Sequence, residues 1–144
     1  MTDYNIDIEY PFDIDGNNKK FFAEQHQHDV LHQFEVFGWR QYRNLIPRSS
    51  RMRHTSFTVT NLVTTQTIRF TLLEYSDAEY VELMMESDLM ILVPKKDLFG
   101  LITRRVKDYI TFARLNLTEA KNCLNLFLDD DIETLELQYR NSLC

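Results

Sequence analysis

Two cysteines, three glycines and three prolines are few for 144 residues, and each scarcity excludes something. Cys123 and Cys144 lie too far apart for a CxxC motif, so neither a disulfide scaffold nor a cysteine-based zinc site is expected. Thiols used this sparingly fit a reducing compartment, which predicts the cytoplasm. So few glycines and prolines force few turns, and polar loops are left to join the regular elements. The longest apolar runs, such as Leu89–Val93, are far too short to span a bilayer, and no membrane partner is expected. The opening Met-Thr-Asp-Tyr-Asn-Ile offers neither a basic nor an apolar stretch of the kind a secretory signal needs. Acid is missing from one long segment. Residues 36–73 contain no Asp or Glu, yet hold Arg40, Arg43, Arg48, Arg51, Arg53 and Arg69.

What is present suffices for a core. Apolar residues make up 44% of the chain, including ten Phe and seven Tyr, which argues against disorder. A chain of this length buries roughly 70% of its unfolded surface and fits one domain over residues 1–144. The net charge of −6 divides unevenly: residues 1–35 and 74–144 are each −6, flanking the +6 arginine segment. Such a division neutralises itself internally or presents two electrostatic faces to a charged partner.

Periodicity predicts the elements. Tyr4, Ile6, Ile8 and Tyr10 alternate with polar residues, which describes a strand with one wet face, closed by Pro11 and a turn over 13–18. Residues 19–37 read as a helix, with Val30, Leu31, Phe34 and Phe37 on one side and Gly38 as the stop. A short helical stretch carries Trp39, Tyr42, Leu45 and Ile46. Three alternating runs over 55–63, 67–75 and 79–86 form an antiparallel meander, and continuous apolar character predicts a more buried strand over 89–93. Residues 98–115 fit either period, and β-branched and aromatic side chains favour a strand over 105–113. A helix is expected over 118–128 with Thr118 as its N-cap; residues 132–139 again fit either period, and the alternation of Leu135, Leu137 and Tyr139 favours a closing strand. The fold class is α+β, a mostly antiparallel sheet flanked by helices.

Four groups of residues are candidate sites. His26, His28 and His32 crowd together, and His28 and His32 one helical turn apart could reach a metal; the HExxH glutamate is missing, and solvated helix-face histidines are the simpler reading, so no metal site is expected. Asp13, Asp15, Asn17 and Glu24 partly match a calcium loop, but Asn18 stands where glycine belongs, and an ordinary turn is the simpler reading. Arg40–His54, with Trp39 and Tyr42 beside it, could stack bases and hold phosphates, although the overall negative charge disfavours nucleic acid. Asp129, Asp130, Asp131 and Glu133 form an anionic group after the 118–128 helix. Closely spaced carboxylates there could present a cationic partner with the charge it expects of phosphate, extended by Glu74, Asp77, Glu79, Glu82 and Glu86. No GxSxG, glycine-rich phosphate loop or Cys–His signature is present, so neither catalysis nor a cofactor is expected.

Phe34-Glu-Val-Phe-Gly-Trp39 ending a helix, a meander over 55–86, and Leu117-Thr-Glu-Ala-Lys-Asn-Cys-Leu-Asn-Leu-Phe-Leu-Asp-Asp130 together resemble, in layout, the small immunity proteins of bacterial polymorphic toxin systems, including contact-dependent growth inhibition. The resemblance implies a cytoplasmic protein that binds one cognate toxin domain and blocks it. An acidic, dimeric secretion chaperone of the type III kind, binding an extended effector segment, is the alternative reading.

Overall fold

The computed structural model describes residues 2–14, 17–45, 54–73, 81–98 and 100–143. The chain runs β1 (Tyr4–Ile14), β2 (Asn17–Gln25), α1 (Gln27–Val36), α2 (Trp39–Leu45), β3 (Ser56–Asn61), β4 (Thr67–Leu72), β5 (Glu82–Ser87), β6 (Met90–Asp97), β7 (Ile102–Tyr109), β8 (Phe112–Asn116), α3 (Leu117–Leu128) and α4 (Ile132–Ser142). Six strands form one antiparallel sheet in the order β2-β1-β3-β4-β5-β8, and β6 and β7 form a separate two-stranded arm. The α+β class and the antiparallel meander hold.

Register explains the core. Ile8 faces Phe57, Phe57 faces Phe70, and Phe70 faces Met85, so one apolar row crosses four strands. Ile6, Val59 and Ile68 make a second row, and Leu72, Leu83 and Leu115 a third. Because side chains alternate between faces, these rows bury one side of the sheet, which α1, α2 and α3 cover. Phe34 of α1 sits at the centre, 5.2–5.7 Å ring to ring from Phe70, Phe57 and Trp39. The opposite sheet face is polar: Thr58 lies against Arg69, and Arg69 against Glu86.

Four expectations need correction. Pro11 does not close the first strand, which runs on to Ile14, and residues 17–25 are its hairpin partner strand rather than the start of a helix. The apolar stripe that predicted a helix begins only at Val30, and the preceding Asn-Asn-Lys-Lys-Phe-Phe-Ala-Glu-Gln pairs along β1 as an edge. The N-cap of α3 is Asn116, not Thr118: Asn116 Oδ1 accepts from the Glu119 N–H (2.8 Å), and Glu119 Oε1 accepts from the Asn116 N–H (3.0 Å). Residues 132–142 are a helix, not a closing strand. Leu135 and Tyr139, four apart, are buried, whereas Leu137, which a strand would place with them, is 59% exposed.

The fourth concerns 89–113. Leu89–Val93 is no deeply buried strand, since Met90 and Leu92 are exposed while Leu89 and Ile91 are buried. The strand expected over 105–113 divides at Ile110, which is fully buried and whose N–H donates to the Leu89 carbonyl (3.0 Å). Ser87 Oγ accepts from the Leu89 N–H and donates to the Ile110 carbonyl, closing the base of the arm between β5 and β8. Tyr139 Oη donates to Asp108, and Arg140 donates to the Leu92 carbonyl, bracing the arm on α4.

Burial and fixed hydrogen bonds hold four phenols protonated above the usual tyrosine range. Desolvation dominates at Tyr4, Tyr10 and Tyr42, and the bond to Asp108 at Tyr139. A raised folded pKa means the unfolded chain loses these protons first, so their stabilisation is complete below about pH 10 and is lost as pH rises past it. Denaturant midpoints are expected to fall steeply above pH 10, and Tyr4→Phe with Tyr139→Phe to soften that fall.

Candidate partner-binding site

The acidic group predicted from sequence lies at the corner between α3 and α4, and its backbone shows why it is held there. The Asp131 N–H donates to the Leu126 carbonyl (2.8 Å) and the Asp130 N–H to the Phe127 carbonyl (3.2 Å), which is the paired closure of a Schellman motif. Asp130 occupies the left-handed position of that motif, with φ +57°. Glycine is the usual residue there because it has no Cβ to clash.

The four acids divide by role. Asp131 is the N-cap of α4, accepting from the Thr134 N–H (3.3 Å) and from the Thr134 hydroxyl (2.8 Å). Glu133 sits exposed in the first turn of α4, where the helix dipole favours it. Asp129 and Asp130 cap no helix N-terminus; they are exposed between the C-terminal end of α3, whose dipole disfavours negative charge, and the N-terminus of α4, whose dipole favours it. Asp131→Ala is therefore expected to cost about 1 kcal/mol of stability, and Asp130→Gly to cost none, as read by urea unfolding.

Asp129 and Asp130 border an open groove of about 900 Å³ whose other walls come from distant parts of the chain. Tyr4 fastens α3 to β1 by donating its hydroxyl to the Leu128 carbonyl (2.9 Å). Asn61 shapes the opposite wall, its Oδ1 accepting from the Val63 and Thr64 N–H groups at 2.9 and 3.1 Å. Val63 stands exposed at the rim, and Leu31 of α1 lines the floor with Leu128. His26 and His28 form the wall on the α1 side, and Gln27 Nε2 donates to Asp129 Oδ1. The groove pairs carboxylates with apolar surface, a combination that suits the aliphatic stem and charged head of a lysine or arginine.

Of the remaining candidates, His26 and His28 line the groove without forming a metal site among the described residues, and the others are not assembled into it. His26 Nδ1 contacts Asp3 Oδ1 (2.9 Å) and His28 pairs with Asp29 (3.3 Å); among the described residues no three metal-ligating groups converge. The calcium-loop reading fails on geometry: β1 and β2 form a hairpin, so Glu24 lies beside Asn5, at the far end from Asp13. Asp15 and Gly16 lie outside the described residues. So do Arg48, Arg51 and Arg53, while Arg40 is exposed on α2 and Arg69 reaches Glu9 (3.9 Å) across the polar sheet face. Nor does Glu82 extend the acidic corner: it is buried, pairs with Arg114 (3.6 Å), and lies beside Asn116 at the other end of α3. Glu74, Asp77 and Glu79 fall outside the described residues.

Comparison with protein-family models, curated proteins and solved structures finds no match to this chain. What the site can do is therefore argued from its own chemistry. Sequence reasoning missed Tyr4, Asn61 and Val63 as site residues, since nothing local marks them; only the β1–β3 pairing brings them to the end of α3.

Proposed function

We propose that this protein is a non-catalytic immunity protein that binds a cognate toxin domain and neutralises it. The observation that carries the reading is the placement of Asp129 and Asp130. Both are exposed carboxylates that cap no helix N-terminus, and Asp130 takes a left-handed position that glycine fills at less cost. Local structural rules are broken most often where function requires it. Two carboxylates beside an apolar groove complement a cationic surface, which makes a nuclease, built to receive phosphates, the favoured kind of toxin. Cys123, buried with its thiol pushed up to about 12 by desolvation, is held protonated and unreactive, in keeping with a structural residue in a reducing cytoplasm.

Purification of the tagged full chain from its source cells tests this reading. The expected result is a stoichiometric folded partner whose expression alone is toxic and whose toxicity this chain abolishes. A homodimer carrying an extended effector segment would replace the proposal with the secretion-chaperone reading.

A further inference from the structure

The β6–β7 arm has a composition unlike the rest of the molecule. Residues 90–109 hold five bases (Lys95, Lys96, Arg104, Arg105, Lys107) against two acids, in a chain whose net charge is −6. Its distal turn is apolar and open: Leu101 is 84% exposed, Leu98 63% and Ile102 49%. Leu98 adopts φ +52°, a conformation that asparagine or glycine would take at less cost. Behind this tip comes one acidic position, Asp97, and then the cations. Asp97 pairs with Ile102, then Lys96 with Thr103, Lys95 with Arg104, and Pro94 with Arg105. Lys95 and Arg104 are thus like charges directly opposed on one face, an arrangement that weakens a ribbon.

From this layering we infer that the arm docks tip first on an anionic phospholipid surface. The apolar end enters the boundary of the acyl region, and Lys95 and Lys96 meet the phosphates above it. The order of the layers favours lipid over nucleic acid, whose phosphates lie outermost and would meet the apolar tip before any cation. Eight residues of strand extend about 26 Å, whereas charge is screened over about 8 Å at physiological ionic strength. Arg105 shares a recess with Glu136 and Arg140 of α4, so Lys95 and Lys96, one and two positions nearer the tip than its partner Pro94, are the cations set farthest from the acidic body. This is contact with a surface, not insertion of a span, and among the described residues no helix is long and apolar enough to cross a membrane. It departs from the expectation, drawn from the lack of long apolar runs, of no membrane partner. The inference stands independently of toxin binding.

Co-sedimentation of the full chain with vesicles tests it, comparing phosphatidylcholine alone with an equal mixture of phosphatidylcholine and phosphatidylserine. Binding to the anionic vesicles is expected to be at least about tenfold tighter. Leu101→Asp should abolish it, Lys95→Glu/Lys96→Glu should abolish the preference, and Lys95→Arg/Lys96→Arg should retain both. These side chains are exposed, so the variants should keep the wild-type melting temperature. Equal or absent sedimentation with the two vesicle types would overturn the inference, as would undiminished binding by Leu101→Asp. A dimer that Leu101→Asp dissociates, without vesicle binding, would assign the arm to a second copy of the chain. Salt-sensitive retention on duplex DNA, again without vesicle binding, would assign it to nucleic acid.

Discussion

Phe34→Ala is expected to remove about 3–5 kcal/mol of stability, the range for emptying an aromatic site in a close-packed core. Phe34 is 3% exposed and is the ring through which α1 contacts β3, β4 and Trp39 together. Its loss leaves a cavity under three aromatic neighbours, two of which, Phe57 and Phe70, are held in place by strand pairing, so the site collapses poorly. A domain of this size has roughly 5–15 kcal/mol in total, and the variant should sit near the edge of folding. Urea unfolding should show a large fall in midpoint with the slope unchanged. Phe21→Ala supplies the contrast. Phe21 is 57% exposed on the edge strand β2, and its truncation should change stability by no more than about 0.5 kcal/mol. Equal effects at the two positions would mean that α1 does not cover the sheet as described.

Asp129→Lys/Asp130→Lys is expected to separate stability from binding. Lysines at the C-terminal end of α3 complement the helix dipole, and the exposed bond from Gln27 is a small loss, so unfolding should be nearly unchanged. Association with the cognate toxin should slow by about tenfold or more at low salt, because reversed charge at a rim acts mainly on encounter. High salt should narrow the gap as the field is screened. Asp131→Lys would be a poorer probe, since it also removes the cap of α4 and confounds folding with binding.

These contrasts follow from what was legible in the chain. Tyr4–Tyr10 and the meander could be read directly, because one buried face and one wet face impose a period of two on the sequence. Residues 132–142 could not, because Leu135 and Tyr139 satisfy both periods; only the exposure of Leu137 decides between them. The hairpin of β1 and β2 was obscured for a different reason. Edge strand β2 buries little, and its solvated side chains carry almost no pattern. At the site, the acids themselves were visible as a run, but their division into a cap and two carboxylates that cap no helix N-terminus depends on where α4 begins. The groove is a tertiary object: Tyr4, Asn61 and Leu128 meet through sheet pairing and one hydrogen bond, with no local signature.

The most direct test of the central claim is the association rate of the captured toxin domain with wild type and with Asp129→Lys/Asp130→Lys, measured by stopped flow at low and high salt. The account predicts a slowed, salt-sensitive association for the variant at unchanged stability, together with failure to protect cells from the toxin. Equal rates and full protection by the variant would contradict it, and would place the interface away from the α3–α4 corner.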